Sequence, residues 1–160
     1  MAKVVASLPA DQPTITMQRE FDAPADAVFA AYRDPEALKE WYGPDGFSIT
    51  IIAMDFRVGG LLRFTMHGPD GTDYANRIMY REIVPAARIA YLHDSGIDDD
   101  PRGFEVLVTF EPKGAGRTLL TMRSTFPSIA ARNAVMKFGA VELGMQTVEK
   151  LAAYVARRAA

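Results

Sequence analysis

Hydrophobic positions recur with a helical period near both ends of the chain and with an alternating period between them. After a first strand predicted over residues 14–21, the pattern predicts two short helices. The second helix starts with Asp34, whose side chain can cap the first turn, and Pro35, which suits the first helical position. Its spacing places Leu38 and Trp41 on one face. The early chain is therefore interpreted as strand, helix, helix.

The middle of the chain alternates apolar and polar residues, as expected of a half-buried antiparallel sheet. Clusters of glycine and proline, such as residues 68–71, separate the alternating runs and favour tight turns. Short connections of this kind predict a meander rather than parallel crossovers. The six strands predicted here cover residues 47–55, 61–67, 73–84, 88–93, 103–111 and 117–126.

The last predicted element is a long helix from Ser128 to about Arg158. Its apolar stripe is as wide as a core-facing helix requires, and the sheet is the one large surface it can cover. Gly139 and Gly144 lie inside it, where each glycine costs roughly 1 kcal/mol relative to alanine. Close approach to the sheet or to a bound molecule would explain them, and a kink is the alternative. The predicted fold class is α+β, a curved antiparallel sheet of about seven strands around a long C-terminal helix.

The amino-acid composition is that of an ordinary globular domain and does not point to a particular function. The 160 residues are 49% hydrophobic and 24% charged, which is average for one globular domain. We expect a single domain over residues 13–160, preceded by a loose leader over residues 1–12, where no periodicity is visible. The net charge of -2 and the lack of a basic cluster argue against a nucleic-acid partner.

Absent residue types exclude further classes. The sequence has no cysteine, which removes disulfides, thiolate nucleophiles and thiolate zinc sites and is consistent with a reducing, cytoplasmic compartment. No apolar run approaches the ~20 residues of a membrane span. The acidic residues 98–100 lack the spacing of a calcium loop and are expected to form a solvated turn. We therefore expect neither a metal nor a cofactor.

Five short blocks carry a resemblance to a known family. They are FDAP at 21–24, DP at 34–35 with WYGP at 41–44, DFRVGG at 55–60, PDG at 69–71 and YREIVP at 80–85. With their flanking elements the blocks cover about residues 14–157. Through them the chain resembles the START-like superfamily, also called SRPBCC or the polyketide cyclase and lipid transport superfamily. Within it, the chain looks like the branch of activators of the heat-shock-protein-90 ATPase and their uncharacterised bacterial homologues.

The resemblance implies a helix-grip fold with a cavity between the sheet and the long helix. Such a cavity would hold a small apolar or amphipathic molecule. An ordinary packed core is the alternative reading of the same inward-facing side chains. The residues that we expect to line the cavity are Trp41, Phe64, Met66, Tyr80, Glu82, Tyr91, His93, Met122, Phe138 and Met145.

Two ionisable residues among these are candidates for chemistry. Glu82 either pairs with an arginine such as Arg57 or Arg63, or faces the cavity, where burial would raise its pKa and suit it to acid–base work. His93 is either the polar end of a strand or a polar group of the pocket. His93 and the two residues after it cannot form a hydrolase triad, because consecutive strand residues point to opposite sides.

Three functions stay open on the sequence. The first is a module that binds a small molecule in the cavity. The second is a protein-interaction domain, with a chaperone as a possible partner and a homodimer as the base-rate oligomer. The third is a cyclase or hydratase type of enzyme that uses Glu82 or His93 as acid or base. The absence of a recognisable catalytic motif favours the binding module.

Overall fold

The protein is described here from a computed structural model that covers residues 3–159. Within these residues the chain forms eight strands and four helices. The strands are β1 (Val5–Ser7), β2 (Thr14–Phe21), β3 (Ser48–Met54), β4 (Leu61–His67), β5 (Asp73–Val84), β6 (Arg88–Asp94), β7 (Phe104–Pro112) and β8 (Thr118–Thr125). The helices are α1 (Ala25–Arg33), α2 (Pro35–Trp41), α3 (Ile129–Lys137) and α4 (Ala140–Ala159).

All eight strands form one curved antiparallel sheet in the order β1-β2-β8-β7-β6-β5-β4-β3. From β3 to β8 each strand pairs with the next along the chain, so the predicted meander is confirmed. The predicted α+β arrangement of sheet, two short helices and C-terminal helix is also confirmed. Asp34 caps α2 as expected, because its carboxylate accepts a hydrogen bond from the amide of Glu36 at 3.0 Å.

The sheet has one strand more than the seven expected. Residues 1–12 were expected to be a loose leader, but Val5–Ser7 pair antiparallel with β2, Val5 lying opposite Gln18 and Ser7 opposite Thr16. A strand of three residues is too short to show alternation, which explains why the sequence did not predict it. Residues 1 and 2 lie outside the described part of the chain.

The C-terminal helix is divided into two. α3 ends at Lys137, and Gly139 turns the chain with a φ of +83° before α4 begins. This left-handed conformation favours glycine, so the kink considered for the two helix glycines applies to Gly139. Gly144 stays inside α4, and a Cβ there would lie 2.6 Å from the Cε atom of Met17 on β2. Close approach to the sheet therefore accounts for Gly144.

The core lies between the inner face of the sheet and helices α1, α2 and α4. Val148 and Leu151 of α4 are almost completely buried, as are Leu62 and Leu120 of the sheet. α3 is held differently: the buried guanidinium of Arg132 donates hydrogen bonds to the carbonyl of Pro9, between β1 and β2, and to that of Thr14 at the start of β2. A packed core at the C-terminal half of α4 leaves its N-terminal half to face a cavity.

Candidate functional site

A cavity of about 210 Å³ separates the inner face of the sheet from the N-terminal half of α4. The turn after α2 closes one side of it. A cavity of about 150 Å³ is enough to hold benzene in a protein interior, so this one can hold a single ring with a short substituent. Its lining consists of Ile15, Met17, Trp41, Tyr42, Gly43, Pro44, Met66, Tyr91, His93, Phe104, Val106, Met122, Ser124, Phe126, Ala140, Gly144 and Thr147.

The alternation of the strands builds most of this wall. Met17 on β2 lies directly opposite Met122 on β8, and Ile15 lies opposite Ser124 two residues along. These pairs point to the inner face because strand residues two apart share a face. Neighbouring strands add further inward residues in the same way. The wall is therefore a consequence of register, and it is mainly apolar and rich in methionine and aromatic side chains.

Four tyrosines lie in or beside the cavity, and burial raises the pKa of each one: Tyr32, Tyr42, Tyr80 and Tyr91. Interaction with Tyr91 lowers the pKa of Tyr42 in part, while the same interaction raises that of Tyr91. All four phenols are therefore neutral at pH 7 and able to donate hydrogen bonds.

Tyr32 is buried outside the lining of the cavity. It packs edge-on against Trp41, with ring centroids 4.9 Å apart. Its hydroxyl is buried and has no protein partner, alone among the buried side-chain polar atoms of the described chain. Buried polar groups are normally hydrogen-bonded, so the Tyr32 hydroxyl marks a position where a hydrogen-bond partner is missing.

His93 is the one histidine in the cavity wall. Its Nε2 atom lies 2.8 Å from Oδ1 of Asn76, and its ring packs against Phe104 at 5.1 Å between centroids. Burial lowers the pKa of His93 to about 4, against a smaller opposing effect of Asp94. The imidazole is therefore neutral at pH 7. With Nε2 donating to Asn76, Nδ1 is left as an acceptor.

Seven of the ten residues expected in the cavity lie in or directly behind its wall. Trp41, Met66, Tyr91, His93 and Met122 line it. Phe64 and Tyr80 are buried one layer behind, Phe64 against Tyr42 at 5.2 Å and Tyr80 against Tyr91 at 6.5 Å between ring centroids.

Two expected residues on the C-terminal helix lie elsewhere. Phe138 is 85% exposed, and Met145 lines a separate surface groove beside Val4 and Gln146. Both were placed on one stripe by assuming an unbroken helix, in which residues seven apart share a face. The break at Gly139 takes Phe138 off the stripe, while Met145 lies at its edge, partly buried against the core. The rest of the predicted stripe on α4, Val148, Leu151, Ala152 and Val155, is buried as expected.

Glu82 does not face the cavity. A bulge between Tyr80 and Glu82 shifts the register, so that Tyr80 lies opposite Tyr91 but Glu82 lies opposite Ala90 on the outer face. There its carboxylate accepts hydrogen bonds from Arg88 at 2.7 and 3.1 Å. The ion pair lowers the pKa of Glu82. Glu82 thus pairs with an arginine, as one of the two expectations had it, but the partner is Arg88 and not Arg57 or Arg63.

Replacing Glu82 by glutamine is therefore expected to leave the cavity unchanged. Exposed ion pairs contribute little to stability, so the urea midpoint of Glu82→Gln should fall only slightly. Isothermal calorimetry with any compound that binds the wild type should give the same affinity for the variant. A loss of binding would contradict the outward position of this side chain.

Several lining residues were not expected from the sequence. Tyr42, Gly43 and Pro44 belong to the turn that follows α2, where no periodicity indicates direction. Phe104 and Phe126 lie at strand ends, where alternation is weakest. Ile15 and Met17 could have been found, because inward-facing residues on β2 alternate in the usual way.

The sheet, the two short helices and the long α4 define a helix-grip α+β domain. A family comparison identifies it further: the model for "Activator of Hsp90 ATPase homolog 1-like protein" matches residues 22–156. The chain belongs to this family, whose fold is that of a ligand-binding or co-factor-like domain. No helix in residues 3–159 is both long and apolar enough to cross a membrane.

Solved structures of bacterial proteins are similar over almost the whole chain. A protein from Arthrobacter aurescens is 25% identical with a TM-score of 0.88, covering 96% of this chain and 91% of its own. A protein from Mycobacterium smegmatis is 26% identical with a TM-score of 0.86, covering 97% and 99%. A Silicibacter pomeroyi protein named AHSA1 shares the fold at 22% identity and a TM-score of 0.73, covering 91% and 99%. No curated protein is significantly similar in sequence.

Proposed function

We propose that this protein binds a small, mainly apolar molecule in the cavity between the sheet and α4. The observation that carries the proposal is the composition of the wall, in which no lining residue is charged at pH 7 and most are apolar. Small-molecule sites are typically concave and apolar, with a few polar groups that fix orientation. The tyrosine hydroxyls and His93 supply those few polar groups here.

The energetic cost of the cavity supports a binding role. The space of about 210 Å³ is partly open to solvent and lined mainly by apolar side chains. Apolar surface that faces water instead of other side chains is unfavourable by roughly 25 cal/mol per Å². A sequence that needed only stability could fill this space with larger side chains. A cavity that stays unfilled by side chains is explained if it holds a ligand.

Gly144 supports the same role. It lies inside α4, where glycine costs roughly 1 kcal/mol relative to alanine. It lines the cavity and leaves space for the side chain of Met17, another lining residue. A larger residue at this position would occupy the cavity or push Met17 into it. Gly144 thus preserves the volume at a cost in helix stability.

Replacing Gly144 by leucine is therefore expected to reduce ligand binding without destabilising the protein. The leucine improves helix propensity by roughly 1 kcal/mol, which offsets the displacement of the flexible Met17 side chain. Affinity for a panel of one-ring compounds (toluene, α-methylstyrene and acetophenone), measured by isothermal calorimetry, should fall at least about tenfold, which corresponds to 1.4 kcal/mol.

A matched control is Ala153→Leu, which adds the same side chain to an exposed position of α4 away from the cavity. This variant should bind the panel like the wild type. If no compound of the panel binds the wild type, or if Gly144→Leu binds as well as the wild type, the cavity is not the ligand site.

A protein-interaction role is the second candidate, and one observation favours it. Phe138 is 85% exposed at the corner between α3 and α4, where a large aromatic side chain gains nothing from folding. In this case the protein should stimulate the ATPase of a heat-shock-protein-90 chaperone, and Phe138→Ser should remove the stimulation while leaving small-molecule binding intact. Absence of stimulation by the wild type would count against this role.

A further inference from the structure

We infer that the molecule bound in the cavity is a neutral aromatic compound with a hydroxyl group, and that this hydroxyl donates a hydrogen bond to Nδ1 of His93. This inference rests on the proposed binding function and names the class of its ligand. Three features of the structure support it: the hydrogen bonds that fix the His93 ring, the access to its free nitrogen, and the uncharged aromatic surroundings.

The hydrogen bonds of Asn76 fix which nitrogen of His93 carries the proton. Nδ2 of Asn76 donates to the backbone carbonyl of Tyr74 at 3.1 Å, so the amide turns its Oδ1 atom toward Nε2 of His93, 2.8 Å away. An amide oxygen can only accept a hydrogen bond, so Nε2 is the donor and carries the proton. In the neutral imidazole the other nitrogen, Nδ1, is then an acceptor. Burial, which lowers the pKa of His93 to about 4, keeps the ring neutral at pH 7.

Nδ1 of His93 is accessible from the cavity. Within residues 3–159 the side chain of His93 makes one hydrogen bond, that of Nε2 with Asn76, so Nδ1 has no protein partner there. The hydroxyl of Tyr32 is the single buried side-chain polar atom without a partner in the same residues, so Nδ1 is not a buried atom. His93 shares the inner face of β6 with the buried Tyr91, and both residues line the cavity. A ligand in the cavity can therefore reach Nδ1 with a donor group.

The wall around His93 is aromatic and carries no charge. The ring of Phe104 lies 5.1 Å from that of His93, and Phe126 stacks on Phe104, also at 5.1 Å between centroids. Aromatic rings pack well against such side chains, which favours an aromatic ligand. None of the lining residues is a lysine, arginine, aspartate or glutamate, so an ion would lose its hydration there and gain no opposite charge. The donor that meets Nδ1 is therefore neutral, as a phenol hydroxyl is at pH 7.5.

NMR of the protein labelled with ¹⁵N at its two histidines tests the inference directly. A ring nitrogen without a proton resonates far downfield of one that carries a proton, and it moves upfield when it accepts a hydrogen bond. At pH 7.5 Nδ1 of His93 should give the downfield signal in the free protein, and saturation with phenol should move that signal upfield. Toluene, which replaces the hydroxyl by a methyl group, and anisole, whose oxygen carries no proton, should move it much less. His67 lies outside the cavity lining and should respond to none of the three compounds.

Affinities provide a second, independent measurement. His93→Phe keeps an aromatic ring beside Phe104 but removes the acceptor nitrogen. Isothermal calorimetry should show that the affinity for phenol relative to that for toluene falls about fivefold in this variant, as the loss of one hydrogen bond predicts. Toluene corrects for any change in folding or cavity shape, because it needs the cavity but no hydrogen bond. The matched control, His67→Phe, makes the same change outside the cavity and should keep the wild-type ratio.

The outcomes separate this inference from the function on which it rests. If none of the three compounds binds, the proposed binding function fails. If toluene binds but phenol leaves the Nδ1 signal in place, or if anisole moves that signal as far as phenol does, the cavity binds ligands but the ligand class is wrong. If Nδ1 carries the proton in the free protein, or if Ser124→Ala lowers the phenol-to-toluene ratio and His93→Phe does not, the assignment of the acceptor to His93 is wrong.

Discussion

Replacing Trp41 by alanine is expected to lower the free energy of unfolding by about 3–5 kcal/mol, the range for removal of a large aromatic side chain from a core. Trp41 is only 1% exposed and packs edge-on against Tyr32. Its indole nitrogen donates a hydrogen bond to the carbonyl of Ala31 at 3.0 Å, which joins α2 to α1. The substitution enlarges the cavity and leaves that carbonyl without its partner. Urea denaturation at pH 7 measures the loss.

The control for this prediction is Phe138→Ala. Phe138 is also a large aromatic residue, but at 85% exposed it has little packing to lose. Its unfolding free energy should stay within about 0.5 kcal/mol of the wild type, as for other surface substitutions. Equal losses for the two variants would mean that Trp41 is not part of a packed core or that Phe138 is covered.

Stability is expected to fall by about 3 kcal/mol between pH 7 and pH 4 because of His93. In the folded protein the pKa of His93 is lowered by burial to about 4, below the 6.5 of an unperturbed histidine. Between these two values the unfolded chain binds a proton that the folded protein does not, so acidification favours unfolding. The stabilisation is complete above pH 6.5 and is lost as the pH falls toward 4. Urea denaturation at half-unit pH steps measures this slope.

Two single variants test whether His93 causes this pH dependence of stability. His93→Gln keeps an amide that can bond with Asn76 but does not titrate, so its stability should be nearly constant between pH 6.5 and pH 5. His67→Gln removes the other histidine of the sequence, which lies on the exposed side of β4 between Thr50 and Asp73, and should retain the slope. The reverse result would show that His93 is solvated.

Local sequence signals predicted most of the fold. Alternation marked β2 and the six strands from β3 to β8, because each strand buries one face and is bounded by glycine or proline turns. Asp34 and Pro35 marked the start of α2, since capping and ring geometry act within one turn. Such signals are readable because the interactions behind them connect residues only a few positions apart.

The site was harder to predict because side-chain direction depends on irregularities that the pattern does not show. One extra residue at the bulge in β5 turns Glu82 from the inner face to the outer face. One positive φ at Gly139 separates α3 from α4 and moves Phe138 into solvent. Tyr42 was missed because it follows the last residue of α2, where its direction is set by tertiary packing.

The positions of Glu82 and His93 favour some of the three candidate functions over others. An enzyme that uses Glu82 as its acid or base is inconsistent with a carboxylate paired to Arg88 on the outer face. His93 does lie in the cavity wall, but with a pKa of about 4 it is a weak base. The geometry therefore supports hydrogen-bonding recognition more directly than proton transfer.

The most direct test of the cavity as a ligand site is methyl NMR of the protein labelled with ¹³C at its methionine methyl groups. The sequence has eight methionines, and three of them, Met17, Met66 and Met122, line the cavity. Titration with acetophenone should shift these three signals together and saturate at one equivalent, while Met54 and Met145, which lie outside the lining, should stay in place. Unchanged signals for the first three, or shifts confined to the other two, would contradict binding in the cavity.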